Sequence, residues 1–555
     1  MTVSDRLDFL VESWRPWVLL VLLSLALFTP GIATIPPVDR DEARYIQATR
    51  QMLETHDFVQ IRFQDEARNK KPVGVYWLQA ALVSVFGGPE ATAVWPYRLA
   101  STLGAIAAVL LTFRLGAAIL DRRSALIGAG LLACSLLLVT EAHLATTDAV
   151  LLATAVAGQG ALAAIYVMAR RGEPTGFGLA AAFWIAEAAA ILVKGPVVPM
   201  VAVTTILALV IADRQVAWLT RLRPVLGIPL LLVLVLPWFV AVQKATNGSF
   251  LSDAIGNDLL PKLLQGQEAH GAWPGYYLTL VIASFWPGSL FLAAGISWAW
   301  RHRRIPAARV LAAWVVPAWL IFELVPTKLP HYVLPLYPAL ALVCGRALVS
   351  VAEDALPAVR AWISWSLFGL WALVGIAVGV LAVALPFELE GLIGPAGAIA
   401  LAGSFATVLH MARGPRRHGP GSAVVVVCGA LVVIMPIFAV VLPRLEPAWL
   451  SRRAAAAVAD VGHLATRPVV SVGYAEPSLV FLLGTGTRLL TPPAAAAALA
   501  HHDATLALVA DRENAAFRAD LSALHLVPHA VSVVSGFDYS NGRWLTLTLY
   551  SLPQD

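Results

Sequence analysis

Runs of about twenty apolar residues recur along most of this chain, and they leave it almost no way to fold in water. A helix rises about 1.5 Å per residue, so each such run matches the roughly 30 Å hydrocarbon core of a bilayer. Thirteen of them are legible, the first at 16–36 and the last at 422–442. With 59% hydrophobic and 13% charged residues and a mean hydropathy of +0.75, the 555 residues hold too little polar surface to coat a soluble globule. The expected fold is therefore mostly α: a polytopic membrane protein of about 13 transmembrane helices. Residues 73–88 are also apolar but short for a span. Counting them would turn every later arginine-rich turn outward, so they are expected to form an interfacial or re-entrant helix.

Charge sets the sense of the spans. Turns carrying Arg122-Arg123, Arg170-Arg171, Arg301 with Arg303 and Arg304, and Arg413 with Arg416 and Arg417 fall on one side, which the positive-inside rule makes cytoplasmic. The outer side then receives the loop at 39–95, the Thr146-Thr147-Asp148 turn, the 244–275 loop, the Pro326–Tyr332 turn and residues 443–555. Every lysine (Lys70, Lys71, Lys194, Lys244, Lys262, Lys328) falls there too, against that rule. Cations gathered at an outer interface point to an anionic head group, most naturally a phosphate, which ammonium groups serve as point charges. Taken singly, each lysine has a blander account as a snorkelling helix end.

The densest charge lies between Asp39 and Trp77. Asp39, Asp41 and Glu42 open this stretch among Arg40 and Arg44, and Arg68, Lys70 and Lys71 close it before Pro72. Such groups are costly at a membrane edge unless they bind or react with something. Asp41-Glu42 leads a helical pattern after Pro36-Pro37, so capping is the plain role for Asp39 or Asp41, and a base or acceptor-orienting carboxylate the functional one. Asp148 heads an apolar span and faces the same two readings, and His331 reads equally as an interfacial histidine. Glu268 and His270 are weak metal-ligand candidates, two residues without a third at ligand spacing. The three cysteines lie inside apolar runs and imply packing rather than disulfides, and nothing in the modest basic excess points to nucleic acid.

Composition divides the chain into a transmembrane domain at 1–442 and a soluble extracytoplasmic α/β domain at 443–555. In the latter, strand-like segments at 469–472, 478–483, 506–509 and 544–549 alternate with helical ones at 452–461, 494–501 and 513–524.

In order along the chain stand DEARYIQATRQML, KKPVGVYW, TTDAV, LVKGP, VLPWFVAV, WPGYY and TKLPHYVLPLYP. Over residues about 16–350 this series resembles the undecaprenyl-phosphate aminoarabinose lipid A transferases, part of the polyprenol-phosphate-dependent glycosyltransferases of the GT-C fold that include protein O-mannosyltransferases. The resemblance implies a transferase of the bacterial cytoplasmic (inner) membrane with its active site facing outward. Its donor would be a sugar on undecaprenyl phosphate, and its acceptor a lipid A-type lipid, a glycan or a protein. It implies Asp41 and Asp148 as catalytic aspartates and Lys71 as a donor-phosphate ligand, with Arg44, Tyr45, Arg98, Lys194, Lys328 and Tyr332 lining the same cavity; Glu42 and Lys70 stand beside them. One departure bears on chemistry: the aminoarabinose enzymes read Glu-Lys-Pro where this chain has Lys70-Lys71-Pro72. That puts in question a divalent metal shared with a loop histidine such as His270, and favours a neutral or acidic sugar over an amino sugar. The competing reading is a lipid-linked sugar transporter or flippase, which calls for charges in mid-span and paired halves with broken helices. Here the charges gather at one face.

Overall fold

A computed structural model of the chain describes residues 8–88, 92–261, 271–353, 359–413, 419–462 and 467–553. After a helical stretch at residues 8–11, α1 (Arg15–Phe28) ends just ahead of Pro30, which cannot continue the hydrogen-bond ladder. Next come the polar α2 (Asp41–Thr55), with Asp41 and Glu42 in its first turn, and a short antiparallel hairpin of β1 (Arg62–Phe63) and β2 (Glu66–Ala67). α3 (Gly74–Phe86) is the apolar segment set apart above; its 13 residues rise only about 20 Å, too little to cross a bilayer.

The bundle proper begins with α4 (Trp95–Ile119), followed by α5 (Arg122–Ala133) and α6 (Leu136–Ala142), bent by 63°. Then run α7 (Asp148–Arg170), α8 (Phe177–Lys194), α9 (Val197–Asp213) and α10 (Pro224–Ala245). A second bent pair, at 117°, joins α11 (Tyr276–Ser284) to a segment containing α12 (Leu292–Arg301). α13 (Pro306–Leu324), α14 (Tyr337–Ala352), α15 (Ala361–Glu390), α16 (Pro395–Ala412) and α17 (Pro420–Pro436) complete the set. Among the described residues nine helices are long and apolar enough to span, or eleven if each bent pair counts as one. α1 and α9 occupy two of the thirteen expected spans but have 14 and 17 residues, short of the roughly 20 a bilayer core needs, so length alone supports eleven.

Small residues let these helices approach closely. A Cβ on Gly345 would lie 2.3 Å from the Ser124 carbonyl oxygen, and one on Gly128 2.9 Å from that of Ala341, so α5 and α14 touch backbone to backbone. At Gly104 a Cβ would come within 2.9 Å of the Val150 Cα, which locks α4 against α7 with their N-terminal ends side by side. That shared end is where the charged residues converge.

The C-terminal domain comprises α18 (Leu450–Asp460), β3 (Val470–Val472), α19 (Pro477–Leu483), β4 (Arg488–Leu490), α20 (Pro492–Ala500), β5 (Leu506–Ala510), α21 (Asp511–Ala523), β6 (His529–Asp538) and β7 (Arg543–Ser551). Its sheet runs β4-β3-β5-β7-β6, parallel across the first three strands, with β7 antiparallel to β5 and paired to β6 as a hairpin. Residues 478–483, expected as a strand, instead form α19. A short apolar run has no period to separate helix from strand, and here Pro477 opens a helix and Gly484 follows its last turn. Phe481 of α19 packs edge-on against Tyr97 at 5.5 Å, in a cluster with Ile46, Leu53, Val83 and Val94 that seals this domain to α2, α3 and α4.

Candidate active site

One buried ion pair organises this end of the bundle. Arg98, in the first turns of α4, is fully buried; its Nε and Nη2 donate to the two Glu42 carboxylate oxygens at 2.8 Å each. Its remaining N–H groups reach the carbonyls of Ile32, Ile35 and Pro36 at 2.7–3.0 Å. Glu42 also accepts from the backbone N–H groups of Val38 and Ala145 at 2.8 Å each. The pair thus ties together the chain leading into α2, the first turn of α2 and the turn before α7. Gln79 of α3 adds a bond to the Ala145 carbonyl at 2.9 Å, and Ser101 of α4 one to that of Thr146 at 3.2 Å.

These contacts frame a cavity of about 470 Å³ lined by the 38–45 segment, Arg68, Lys70 and Lys71, by Glu141 and the Leu144–Asp148 turn, by Lys194, and by Thr327, Leu329, His331 and Tyr332. Asp41, the first residue of α2, is exposed to it. Across the cavity Asp148 is buried, its Oδ1 2.6 Å from the Lys194 Nζ. His331 bridges two acids, with Nδ1 3.6 Å from Glu141 Oε1 and Nε2 4.0 Å from Asp148 Oδ2. Thr146 donates to the other Glu141 oxygen at 3.0 Å. Tyr332 offers its ring to the Lys194 ammonium at 5.7 Å, and Arg68 stacks over Tyr45 at 5.2 Å while donating to the Tyr76 hydroxyl at 3.3 Å. Burial pushes the Tyr45 hydroxyl well above its ordinary value, so it stays a neutral donor.

Of the residues singled out above, Asp41, Asp148, Lys70, Lys71, Arg44, Tyr45, Lys194, Tyr332 and Glu42 line this one cavity. Glu42 contributes as framework, since Arg98 and two amides occupy its carboxylate. Arg98 itself is a correction: its donors face Glu42 and backbone carbonyls, away from the cavity. Lys328 is another. Its ammonium is spent on the carbonyls of Phe322, Glu323 and Val325 at 2.7–3.2 Å, where a cation satisfies the end of α13. Lys244 sits in the last turn of α10, and Lys262 lies outside the described residues, so the lysines that converge on the cavity are Lys70, Lys71 and Lys194. The metal candidates Glu268 and His270 also fall outside the described residues. Among those described, no three His, Cys, Asp or Glu side chains gather as a metal site, and beside Lys71 stands the cation Lys70, which does not fit a metal.

Glu141 and the bridging role of His331 are absent from the sequence reading, and Arg68 stands there only as one charge of the 39–77 stretch. For Glu141 the signal was present: a carboxylate at the end of an apolar run, where burial needs a partner. The His331 bridge spans 190 residues of sequence and leaves no local trace. A larger cavity, about 690 Å³, opens at the far end of α4 around Arg122, Arg123, Arg171 and Arg346. Arg122 there serves the Val11 and Ser13 carbonyls, Arg123 pairs with Asp8, and Arg346 with Asp121 and Glu353.

The family model of the dolichyl-phosphate-mannose-protein mannosyltransferases matches residues 70–240. An undecaprenyl phosphate-alpha-4-amino-4-deoxy-L-arabinose arabinosyl transferase of Enterobacter sp. (strain 638) is 26% identical over 344 residues, covering 61% of this chain and 60% of the relative. Its counterpart in Pseudomonas aeruginosa (strain LESB58) is 29% identical over 340 residues, 59% of each. The matched region thus spans about three-fifths of these relatives. Superposition on ArnT from Cupriavidus metallidurans bound to undecaprenyl phosphate gives a TM-score of 0.71 at 20% identity, over 97% of this chain and 98% of that one. The fold is that of the GT-C glycosyltransferases. Within the GT-C fold the chain resembles the polyprenol-phosphate-dependent members in sequence as well as architecture. An Archaeoglobus fulgidus oligosaccharyltransferase shares the GT-C arrangement more distantly, with a TM-score of 0.52 at 12% identity over 98% of this chain and 75% of its own.

Proposed function

We propose that the chain is a membrane glycosyltransferase that moves a sugar from a polyprenyl phosphate to an acceptor at the outer face of a bacterial cytoplasmic membrane. The observation that carries this is the cavity in which Asp41 and Asp148 face Arg44, Arg68, Lys70, Lys71 and Lys194 at one end of an apolar bundle. The relatives' names and the undecaprenyl phosphate in the C. metallidurans structure support the donor class.

The chemistry follows from what leaves. When the C1–O bond of the donor breaks, polyprenyl phosphate departs with the electron pair, and fixed cations stabilise that developing charge most where water is excluded. Lys71, with Lys70 and Arg44, is assigned to the phosphate. An acceptor hydroxyl oxygen attacks C1 from the opposite face, inverting the anomeric centre, and its proton passes to Asp41, the exposed carboxylate. A phosphate acceptor would attack without that transfer. Asp148, held by Lys194 and close to His331, orients these groups or the sugar ring. The cation at Lys70, where the aminoarabinose enzymes carry a carboxylate, favours a neutral or acidic sugar.

The test is transfer of radiolabelled sugar by the purified protein in lipid nanodiscs, with lipid A, glycolipid and protein acceptors supplied separately. Product formation from a polyprenyl phosphate sugar is expected. Comparable turnover of a sugar nucleotide with no lipid carrier present overturns the reading.

A further inference from the structure

Residue Arg40, immediately before Asp41, has φ +67° and ψ −107°, a backbone conformation that non-glycine residues rarely adopt. Such a turn persists only where surrounding contacts over-determine it. Val38, just ahead of the turn, is held by Glu42, and the contacts to Asp39 and to the Arg40 side chain come from the C-terminal domain. The Asp39 N–H donates to the Tyr539 hydroxyl at 2.7 Å, the Ser478 N–H donates to the Asp39 carboxylate at 3.1 Å, and the Arg40 guanidinium donates to the Ser540 carbonyl. Farther along α2, Gln47 and Arg50 bond to Thr485 and to the Phe481 carbonyl at 2.8 and 2.9 Å. Two elements about 440–500 residues away in sequence thus hold the two residues that aim Asp41.

We infer that the C-terminal domain is a positioning clamp: Tyr539, Ser478 and the Ser540 carbonyl hold the Asp39-Arg40 turn so that Asp41 projects into the cavity. This rests on the proposed role of Asp41 at the reacting centre. None of the clamp residues of the C-terminal domain lines the cavity, so Tyr539 is a positioning residue and not a catalytic one. Its hydroxyl alone carries the bond to Asp39, while its ring packs edge-on to Trp449 at 6.1 Å, so Tyr539→Phe keeps the packing and removes the tether.

Two readouts on the full-length protein test this. Amide hydrogen exchange over residues 39–45 should speed up in Tyr539→Phe and in Arg40→Ala while the α4 and α7 amides stay protected. In transfer assays Tyr539→Phe should lose roughly 10-fold in kcat, with donor KM within about twofold of wild type, the pattern of a misaimed group and not of lost binding. Placed on Asp41→Asn, the same substitution should cost almost nothing more, because the group it aims is already disabled. Unchanged exchange at 39–45, or a full additional 10-fold loss on Asp41→Asn, overturns the clamp. Faster exchange together with normal turnover by Asp41→Asn supports the clamp and sinks instead the assignment of Asp41 as the base.

Discussion

Asp39 keeps its proton to a higher pH than an ordinary aspartate because it is half-buried beneath the C-terminal domain, and this desolvation raises it from 3.8 to about 6 against the opposing hydrogen bonds of Ser478 and Tyr539. Glu476 is raised from 4.5 to about 7, by burial first and then by the neighbouring Asp39 and Asp538. The folded chain therefore holds these protons more tightly than the unfolded one, so their contribution to stability falls as pH rises from about 4 to about 7. Thermal melts across that range should show the decline, and Asp39→Asn should flatten it; a melting temperature that climbs through the window contradicts the assignment. Arg98→Ala strips the paired guanidinium from a buried Glu42 and should cost about 3–5 kcal/mol, read as a melting temperature well below wild type. Sequence alone placed Asp41, Lys71 and Asp148 among the candidates because charges beside apolar runs stand out. It misassigned Arg98 and Lys328, since an unpaired cation and one bonded to backbone carbonyls read identically until the chain is folded.

Among the elements, α19 shows most clearly where a linear reading stops. Pro477 and Gly484 are helix punctuation, but the six residues between them, five of them apolar, carry no periodicity, and what decides the matter is the pocket that receives Phe481. The long spans were legible because a bilayer imposes length; the bent pairs α5–α6 and α11–α12 were legible as spans, whereas their 63° and 117° bends were not. Phe481 is fully buried against Tyr97, Val83 and Val94. Phe481→Ala should cost about 3–5 kcal/mol of packing at that junction. Limited proteolysis is the check: cleavage near residues 443–449 should accelerate in the variant while the bundle survives intact, and a cleavage pattern equal to wild type counts against the junction.

For the molecule as a whole, the hydrogen bonds from α2 and the β1–β2 hairpin to the α19–β4 turn place the C-terminal domain and the charged loop on the same face of the bundle. The positive-inside rule, applied to the arginine-rich turns, predicts that this face is the outer one. Cysteines introduced at Glu66 and Val527 should both react with an impermeant reagent in intact cells, and one at Arg303 should not; labelling of Glu66 and Val527 from opposite faces contradicts this topology. The central claim is that Asp41 acts on the acceptor while Lys71 holds the donor phosphate, and the most direct measurement pairs donor affinity with single-turnover transfer to a hydroxyl acceptor for wild type, Asp41→Asn and Lys71→Ala. Asp41→Asn should bind donor within about twofold of wild type yet transfer about 10²-fold or more slowly, the range for losing a positioned base. Lys71→Ala should both weaken donor binding and slow transfer, because its charge meets the phosphate in ground and transition states alike. Wild-type transfer by Asp41→Asn, or undiminished donor affinity in Lys71→Ala, would contradict the account.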